Sequence, residues 1–169
     1  EVIAVVRRGP AEVKFTRKEM ETVAANLDLA ALDAEFVRVT PIMQAAGQDA
    51  VGAKVAFTDA LPKALEKITE TRFRFEFLAT PVRVMGDWMN GVTGLKVEEN
   101  TLVPADGNIK ARGTGNTHQI EADTIIFAIG DTVDKDFCVP VYNDTYMTVK
   151  EPRFPVDGLS YEAFNPDTN

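Results

Sequence analysis

Val2-Ile3-Ala4-Val5-Val6 is an apolar, mostly β-branched run that stops at Arg7-Arg8 and then at Gly9-Pro10. β-Branched side chains are stiff and favour extended backbone. The run predicts a short buried strand over residues 2–6, closed by a turn. What leaves the strand constrains the chain most. Two adjacent guanidinium groups offer rigid forks that match a phosphate bidentately.

The turn leads into a helix signal. Thr16-Arg17-Lys18-Glu19 has the form of a capping box, and Met20, Val23, Ala24 and Leu27 follow at i, i+3, i+4 and i+7. Phe36-Val37-Arg38-Val39 suits a strand over 33–40 that ends at Pro41, and 43–52 reads as loop or weak helix. Pro62 suits a first helical turn, with Leu61, Leu65 and Ile68 on one face and the helix ending near Thr71. The second half changes character. Phe73, Phe75 and Phe77 alternate with Arg72, Arg74 and Glu76, an edge-type strand with one apolar face. Val82 to Met85, a turn at Asn90-Gly91, Leu95 to Glu98, a glycine-rich stretch from Asp106 to Asn116, and Gln119 to Glu121 together predict an antiparallel meander. Ile125 to Ile129 is a continuous apolar run ending at Gly130, the pattern of a strand buried on both faces. Residues 142–169 hold Pro152, Pro155 and Pro166 and read as an irregular tail.

Composition excludes several classes of function. With 26 acidic against 18 basic residues, a formal charge of −8 argues against a nucleic-acid binder. A local Arg pair can still hold an anion, because its field acts within a screening length. One cysteine, Cys138, rules out an internal disulfide, an iron–sulfur site and a Cys-rich zinc site within one chain. One histidine, His118, rules out a His cluster, and no Ser-His-Asp triad stands out. There is no apolar stretch of membrane-spanning length and no signal peptide, so a reducing, cytoplasmic setting is expected.

The order is strand, Arg-Arg-Gly-Pro turn, helix, long helical insert, strand, meander and apolar strand. It resembles the NADP domain of flavoproteins with two dinucleotide-binding domains. Arg7-Arg8-Gly9-Pro10 with Phe15-Thr16 and Lys18-Glu19 resembles, more narrowly, the adrenodoxin reductase type of ferredoxin–NADP reductase. Pro81-Val82, Gly94-Leu95-Lys96-Val97 and Ala122-Asp123 running into Ile126-Phe127-Ala128-Ile129-Gly130 are similar to the same family. Wider relatives, including the small subunit of glutamate synthase, share the latter features. The resemblance implies an α/β, three-layer, Rossmann-like nucleotide-binding domain. Its parallel sheet would carry an added β-meander, over residues 1–141, with the tail leading towards an FAD domain. It implies that NADPH gives hydride to FAD and that electrons pass on to an iron–sulfur protein such as ferredoxin. In that family the glycine-rich pyrophosphate turn precedes this strand, so the chain is expected to be an incomplete domain, inactive alone. A bare apolar edge at residues 2–6 is then expected to drive self-association into a homo-oligomer.

Each candidate residue has a plain reading beside the functional one. A surface Arg pair is common, but Arg7 and Arg8 sit just past a strand, where the resemblance places the 2′-phosphate of NADP. Gly9 makes the turn there. Glu19 is explained by its capping role, and the resemblance adds proximity to the adenosine ribose. Gly113-Thr114-Gly115 follows polar residues rather than a strand, and reads as a meander turn and not a phosphate loop. Gly130-Asp131 reads as a strand-end turn before an FAD contact. His118 is expected to be non-catalytic, Cys138 to be packing, and Trp88 to be a partly packed hairpin-tip aromatic. The alternatives to a reductase portion are a glutamate-synthase-like electron-entry subunit and a non-catalytic interaction module.

Overall fold

A computed structural model describes the chain except for Lys14, Asp106, Asp131, Thr132, Phe137, Cys138, Asp144, Asp157, Tyr161, residues 165–169 and the side chain of Arg17. The expectations for Asp131 and Cys138 lie outside the described residues. The chain divides into two compact units, Glu1–Ile125 and Ile126–Asn169.

The first unit is mixed α/β. β1 (Val2–Val6) pairs in parallel with β2 (Phe73–Phe77), from Val2↔Phe73 to Val6↔Phe77. β3 (Ala79–Asp87), β4 (Gly91–Ala105) and β5 (Asn108–Glu121) form an antiparallel sheet in that order. α1 (Arg17–Ala24), α2 (Leu29–Ala45) and α3 (Ala50–Thr58) lie between the two parallel strands in sequence. The strand alternation distributes the chain between two cores. Ala4 and Val6 of β1 pack with Phe75 and Phe77 against the helices, whereas Ile3 and Val5 pack against Leu95, Val97 and Ile120 of the meander. The two-stranded sheet therefore has helices on one face and the meander on the other. The strand expected to be buried is half-buried, and Val2 is exposed.

Phe57 centres the helical core. It is 1% exposed, and its ring meets Phe36, Phe75 and Phe77 edge-on at centroid distances of 5.8, 5.2 and 5.6 Å. Glu35 and Arg38 of α2 clip the end of β2. Glu35 Oε1 accepts the Phe77 N–H at 2.7 Å, and Arg38 Nη2 donates to the Phe77 carbonyl at 2.6 Å.

Further sequence expectations are corrected in this unit. Residues 33–40 are helix, not strand. Leu32, Phe36, Val39 and Met43 form a buried stripe at helical spacing, and Asp28 Oδ1 caps α2 by accepting from Ala31 N. Pro41 is accommodated inside α2 because it and Val37, whose carbonyl loses its donor, lie on the exposed face. The helix expected to run to Thr71 stops after one 3₁₀ turn, Leu61–Lys63. Asn26 Nδ2 donates to the Thr69 and Thr71 carbonyls at 2.9 and 2.7 Å, holding this stretch extended, and Ile68 is 89% exposed. The glycine-rich stretch is largely strand, with Gly113 inside β5 and not at a turn. A Cβ on Gly113 would lie 2.3 Å from Glu98 Oε1, which accepts from Gly115 N, so glycine makes room for that bond. Trp88 tips the β3–β4 turn but is 91% exposed and unpacked.

In the second unit, β6 (Val141–Tyr142) and β7 (Thr145–Tyr146) form a two-residue hairpin, and isolated antiparallel bridges join Thr148 to Ala163 and Val156 to Leu159 among otherwise irregular described residues. The apolar run at 126–129 is not a strand. Ile126, Phe127 and Ile129 are 84%, 66% and 88% exposed. A strand buried on both faces needs neighbours, and no described strand pairs with these residues. No described helix is long and apolar enough to cross a membrane.

Candidate nucleotide-binding site

The Arg-Arg-Gly-Pro turn leaves the C-terminal end of β1 and is fixed by its backbone. Asn100, buried to 3% exposure, donates from Nδ2 to the Arg7 carbonyl at 2.9 Å and to Thr80 Oγ1 at 2.8 Å. The Arg8 carbonyl accepts from Leu78 N at 3.2 Å, and the Leu78 carbonyl accepts from Asn100 N at 2.7 Å. Leu78 is fully buried with a φ of 54°, a left-handed conformation that bulky residues rarely adopt. Such strain costs about 1–3 kcal/mol and persists only where its surroundings over-determine it. Here those surroundings are the two hydrogen bonds that anchor the Arg8 turn. Gly9 N donates to Glu12 Oε2 at 3.0 Å, and Pro10 opens the one-turn 3₁₀ helix Pro10–Glu12.

Both guanidinium groups reach the surface. Arg7 and Arg8 are exposed, and among the described residues neither enters an ion pair. Arg8 lines an open cleft of about 640 Å³ with Glu12, Gln48, Gly107, Asn108, Ile109 and Lys110. The far wall of this cleft is the β4–β5 hairpin. Its placement follows from an irregularity in the strand register between Glu98 and Asn100. Before that point Leu95, Val97 and Ile120 pack on β1, and after it Leu102, Ile109 and Ala111 pack on the helical core. Such a bulge bends a strand pair and increases its twist. Gln48 Oε1 is buried beside Gly9 without a hydrogen-bond partner among the described residues. An unmatched buried acceptor costs about 1–3 kcal/mol.

The structure brings Arg8 and Gly9 to this cleft region but does not place Arg7 or Glu19 among the lining residues. Glu19 caps α1. Its Oε2 accepts from Thr16 N at 2.6 Å and from Thr16 Oγ1 at 2.8 Å, while Thr16 Oγ1 accepts from Glu19 N at 3.2 Å. The backbone bond from Thr16, then the hydroxyl bond, hold the Glu19 carboxyl below its ordinary pKa. The carboxylate form favours the native cap, so the cap is complete above the unfolded-chain pKa and is lost as pH falls through the lower folded value. A carbon-detected NMR titration is expected to give Glu19 a midpoint below that of free glutamate, moving back towards it in Thr16→Val. A wild-type midpoint at the ordinary value would contradict the reciprocal cap.

Glu12, Gln48, Asn100 and Lys110 were not singled out in the sequence. Glu12 had a usable signal, an acidic residue three positions after Gly9 in position to cap a Pro-initiated turn. The other three come from distant segments. His118 lies on β5 with Nε2 2.5 Å from Glu76 Oε1 and is not among the cleft-lining residues. Among the described residues no group of three His, Cys, Asp or Glu could hold a metal. A second surface cleft, lined by Val92, Thr93, Gln119, Glu121, Ala122 and Asp123, is open. An isoalloxazine ring needs a largely apolar, enclosing pocket. Neither of these two open clefts encloses one.

No family model matches the chain. The chain is 26% identical over 172 residues to the NADPH-ferredoxin reductase FprA of Mycobacterium leprae, a match that takes in 100% of this chain and 34% of that protein. Two structures of Mycobacterium tuberculosis FprA match in fold with a TM-score of 0.56 and 20% identity. One is described for a covalent modification of NADP+ and the other is a complex with NADPH. Each match covers 88% of this chain and 33% of the other. The chain thus spans about a third of the length of the relatives it matches. In sequence over its whole length and in fold over 88% of it, the chain is similar to one third of FprA, an NADPH-ferredoxin reductase.

Proposed function

We propose that this chain is the NADP(H)-binding portion of an FAD-dependent oxidoreductase that passes electrons from NADPH to an iron–sulfur protein such as ferredoxin. The Rossmann-like, three-layer reading belongs to the same proposal. One observation carries it. Arg7-Arg8-Gly9-Pro10 leaves the end of a parallel strand with both arginine carbonyls held and both side chains exposed, beside an open cleft. The fold likeness to an FprA complex with NADPH supports the reading.

In this reading the guanidinium groups of Arg7 and Arg8 bind the adenosine 2′-phosphate. They orient the dinucleotide and select NADP over NAD. Glu12 has one carboxylate oxygen engaged by Gly9 N. A carboxylate near a ribose accepts from its hydroxyl groups. In such an enzyme an FAD would link hydride transfer to single-electron transfer. Titration calorimetry of the chain is expected to show measurable NADP+ binding and at least about tenfold weaker NAD+ binding, the discrimination that about 1.4 kcal/mol gives. Equal affinities would refute the reading.

A further inference from the structure

We propose that Asn90-Gly91, at the tip of the β3–β4 hairpin, is a site of spontaneous deamidation to isoaspartate and aspartate, and that Asp87 sets its rate by holding the Asn90 carboxamide. It is the one Asn-Gly pair in the chain, and it plays no part in the NADP reading of the Arg-Arg-Gly-Pro turn.

The fold itself puts glycine after Asn90. Gly91 has a φ of 71°, the left-handed position that closes the short loop between β3 and β4. Across the hairpin, a Cβ on Gly86 would lie 2.1 Å from the Gly91 carbonyl oxygen, so the two strands close tightly here. With no side chain on Gly91, nothing shields its backbone nitrogen, and Asn90 is exposed to water. The reaction balances with water alone. Gly91 N attacks Asn90 Cγ and gives its proton to solvent. The Cγ–Nδ2 bond breaks, and Nδ2 leaves as ammonia. Water then opens the cyclic imide, at the backbone carbonyl to give isoaspartate or at Cγ to give aspartate. Asp87 opposes the attack in two ways. Its Oδ2 accepts from Asn90 Nδ2 at 2.9 Å, which keeps Cγ from swinging onto the next backbone nitrogen. Its Oδ1 accepts from Met89 N and Asn90 N, each at 2.8 Å, which fixes the carboxylate at the tip, where its charge disfavours the anion formed during attack. The carboxamide bond, then the Asn90 and Met89 backbone bonds, hold the Asp87 carboxyl below its ordinary pKa, so it is ionised at neutral pH. Deamidation undoes this arrangement. The new carboxylate has no hydrogen to donate to Asp87, and isoaspartate adds a methylene to the backbone where Asp87 pairs with Gly91. Trp88, the one tryptophan of the chain, stands in this loop and is 91% exposed, so its fluorescence reads the state of the tip.

The test incubates the whole chain in warm neutral buffer beside a synthetic peptide spanning Val84–Leu95. Peptide mapping by mass spectrometry follows loss of the Asn90 amide, and labelling by an isoaspartyl methyltransferase separates isoaspartate from aspartate. The native chain is expected to convert at Asn90 at least about threefold more slowly than the peptide, the change that one exposed hydrogen bond gives. Asp87→Ala is expected to convert within about twofold of the peptide rate. Asp87→Ser keeps one acceptor for the turn amides but has no second oxygen for the carboxamide, and is expected to match Asp87→Ala. Trp88 emission is expected to change in step with conversion, and to stay constant in Asn90→Gln, whose longer side chain closes a ring far more slowly. No conversion of the native chain over many peptide half-times would overturn the site. Equal rates in wild type and Asp87→Ala would overturn the role of Asp87. A slow Asp87→Ser beside a fast Asp87→Ala would assign the control to the backbone turn and overturn the carboxamide hold. Circular dichroism melts identify a variant that unfolds, and if Asp87→Ala does so, Asp87→Ser decides the question alone.

Discussion

Replacing Arg7 and Arg8 together by alanine is expected to weaken NADP+ binding by about a hundredfold or more, and NAD+ binding by no more than about threefold. Each hydrogen bond between a guanidinium and an ionised phosphate is worth about 1.5–3 kcal/mol, and the two dinucleotides differ only in the group these bonds would hold. Both side chains are exposed, so solvent and salt screen them. The wild-type preference for NADP+ is therefore expected to shrink between low and high ionic strength, because the Debye length falls from about 10 Å at 0.1 M to about 3 Å at 1 M. The double variant keeps its melting temperature, because the anchoring bonds use the arginine carbonyls and not their side chains. Titration calorimetry at two salt concentrations checks all three statements. Equal losses for NADP+ and NAD+ would mean that the arginines support the turn and do not read the 2′-phosphate.

Phe57→Ala is expected to destabilise the chain by about 3–5 kcal/mol, the range for a large aromatic removed from a packed core. Phe57 is 1% exposed and touches three other phenylalanine rings edge-on. Those ring contacts add about 0.5–1.5 kcal/mol each beyond buried area. In a chain of this length 1 kcal/mol moves Tm by about 2–4 °C, so a fall of about 10–15 °C is expected. Phe57→Leu, which leaves less empty volume, is expected to lose less than half of that. A thermal melt of Phe57→Ala within about 3 °C of wild type would show that this four-ring cluster is not the centre of the core.

The local signals in the sequence read true. The β1 run, the Thr16–Glu19 cap, the period-2 phenylalanines of β2 and the three meander strands all depend on residues within a few positions of one another. The readings that failed depended on residues outside the short window in which each was read. Phe36-Val37-Arg38-Val39 has strand composition, but Leu32 and Met43 complete a helical stripe that the short window missed. The run at 126–129 has the composition of a doubly buried strand, but burial is conferred by neighbouring strands and the run does not carry it alone. Half of the candidate site was legible for the same reason. Arg7, Arg8 and Gly9 announce themselves together. Lys110 lies 102 positions beyond Arg8, placed by a register shift at Asn100 that no local motif foretells. Asn100 itself looks like an ordinary polar strand residue until the Arg7 carbonyl is seen against it.

The most direct test is a two-dimensional amide NMR titration of the isotope-labelled chain with NADP+, with NAD+ as the control. The expected result is saturable shifts in the Arg7–Glu12 turn and in Gly107 to Lys110, much smaller with NAD+ at equal concentration. Shifts that are absent, that fall outside both segments, or that are the same size with NAD+ would contradict the assignment of this chain as an NADP-binding portion.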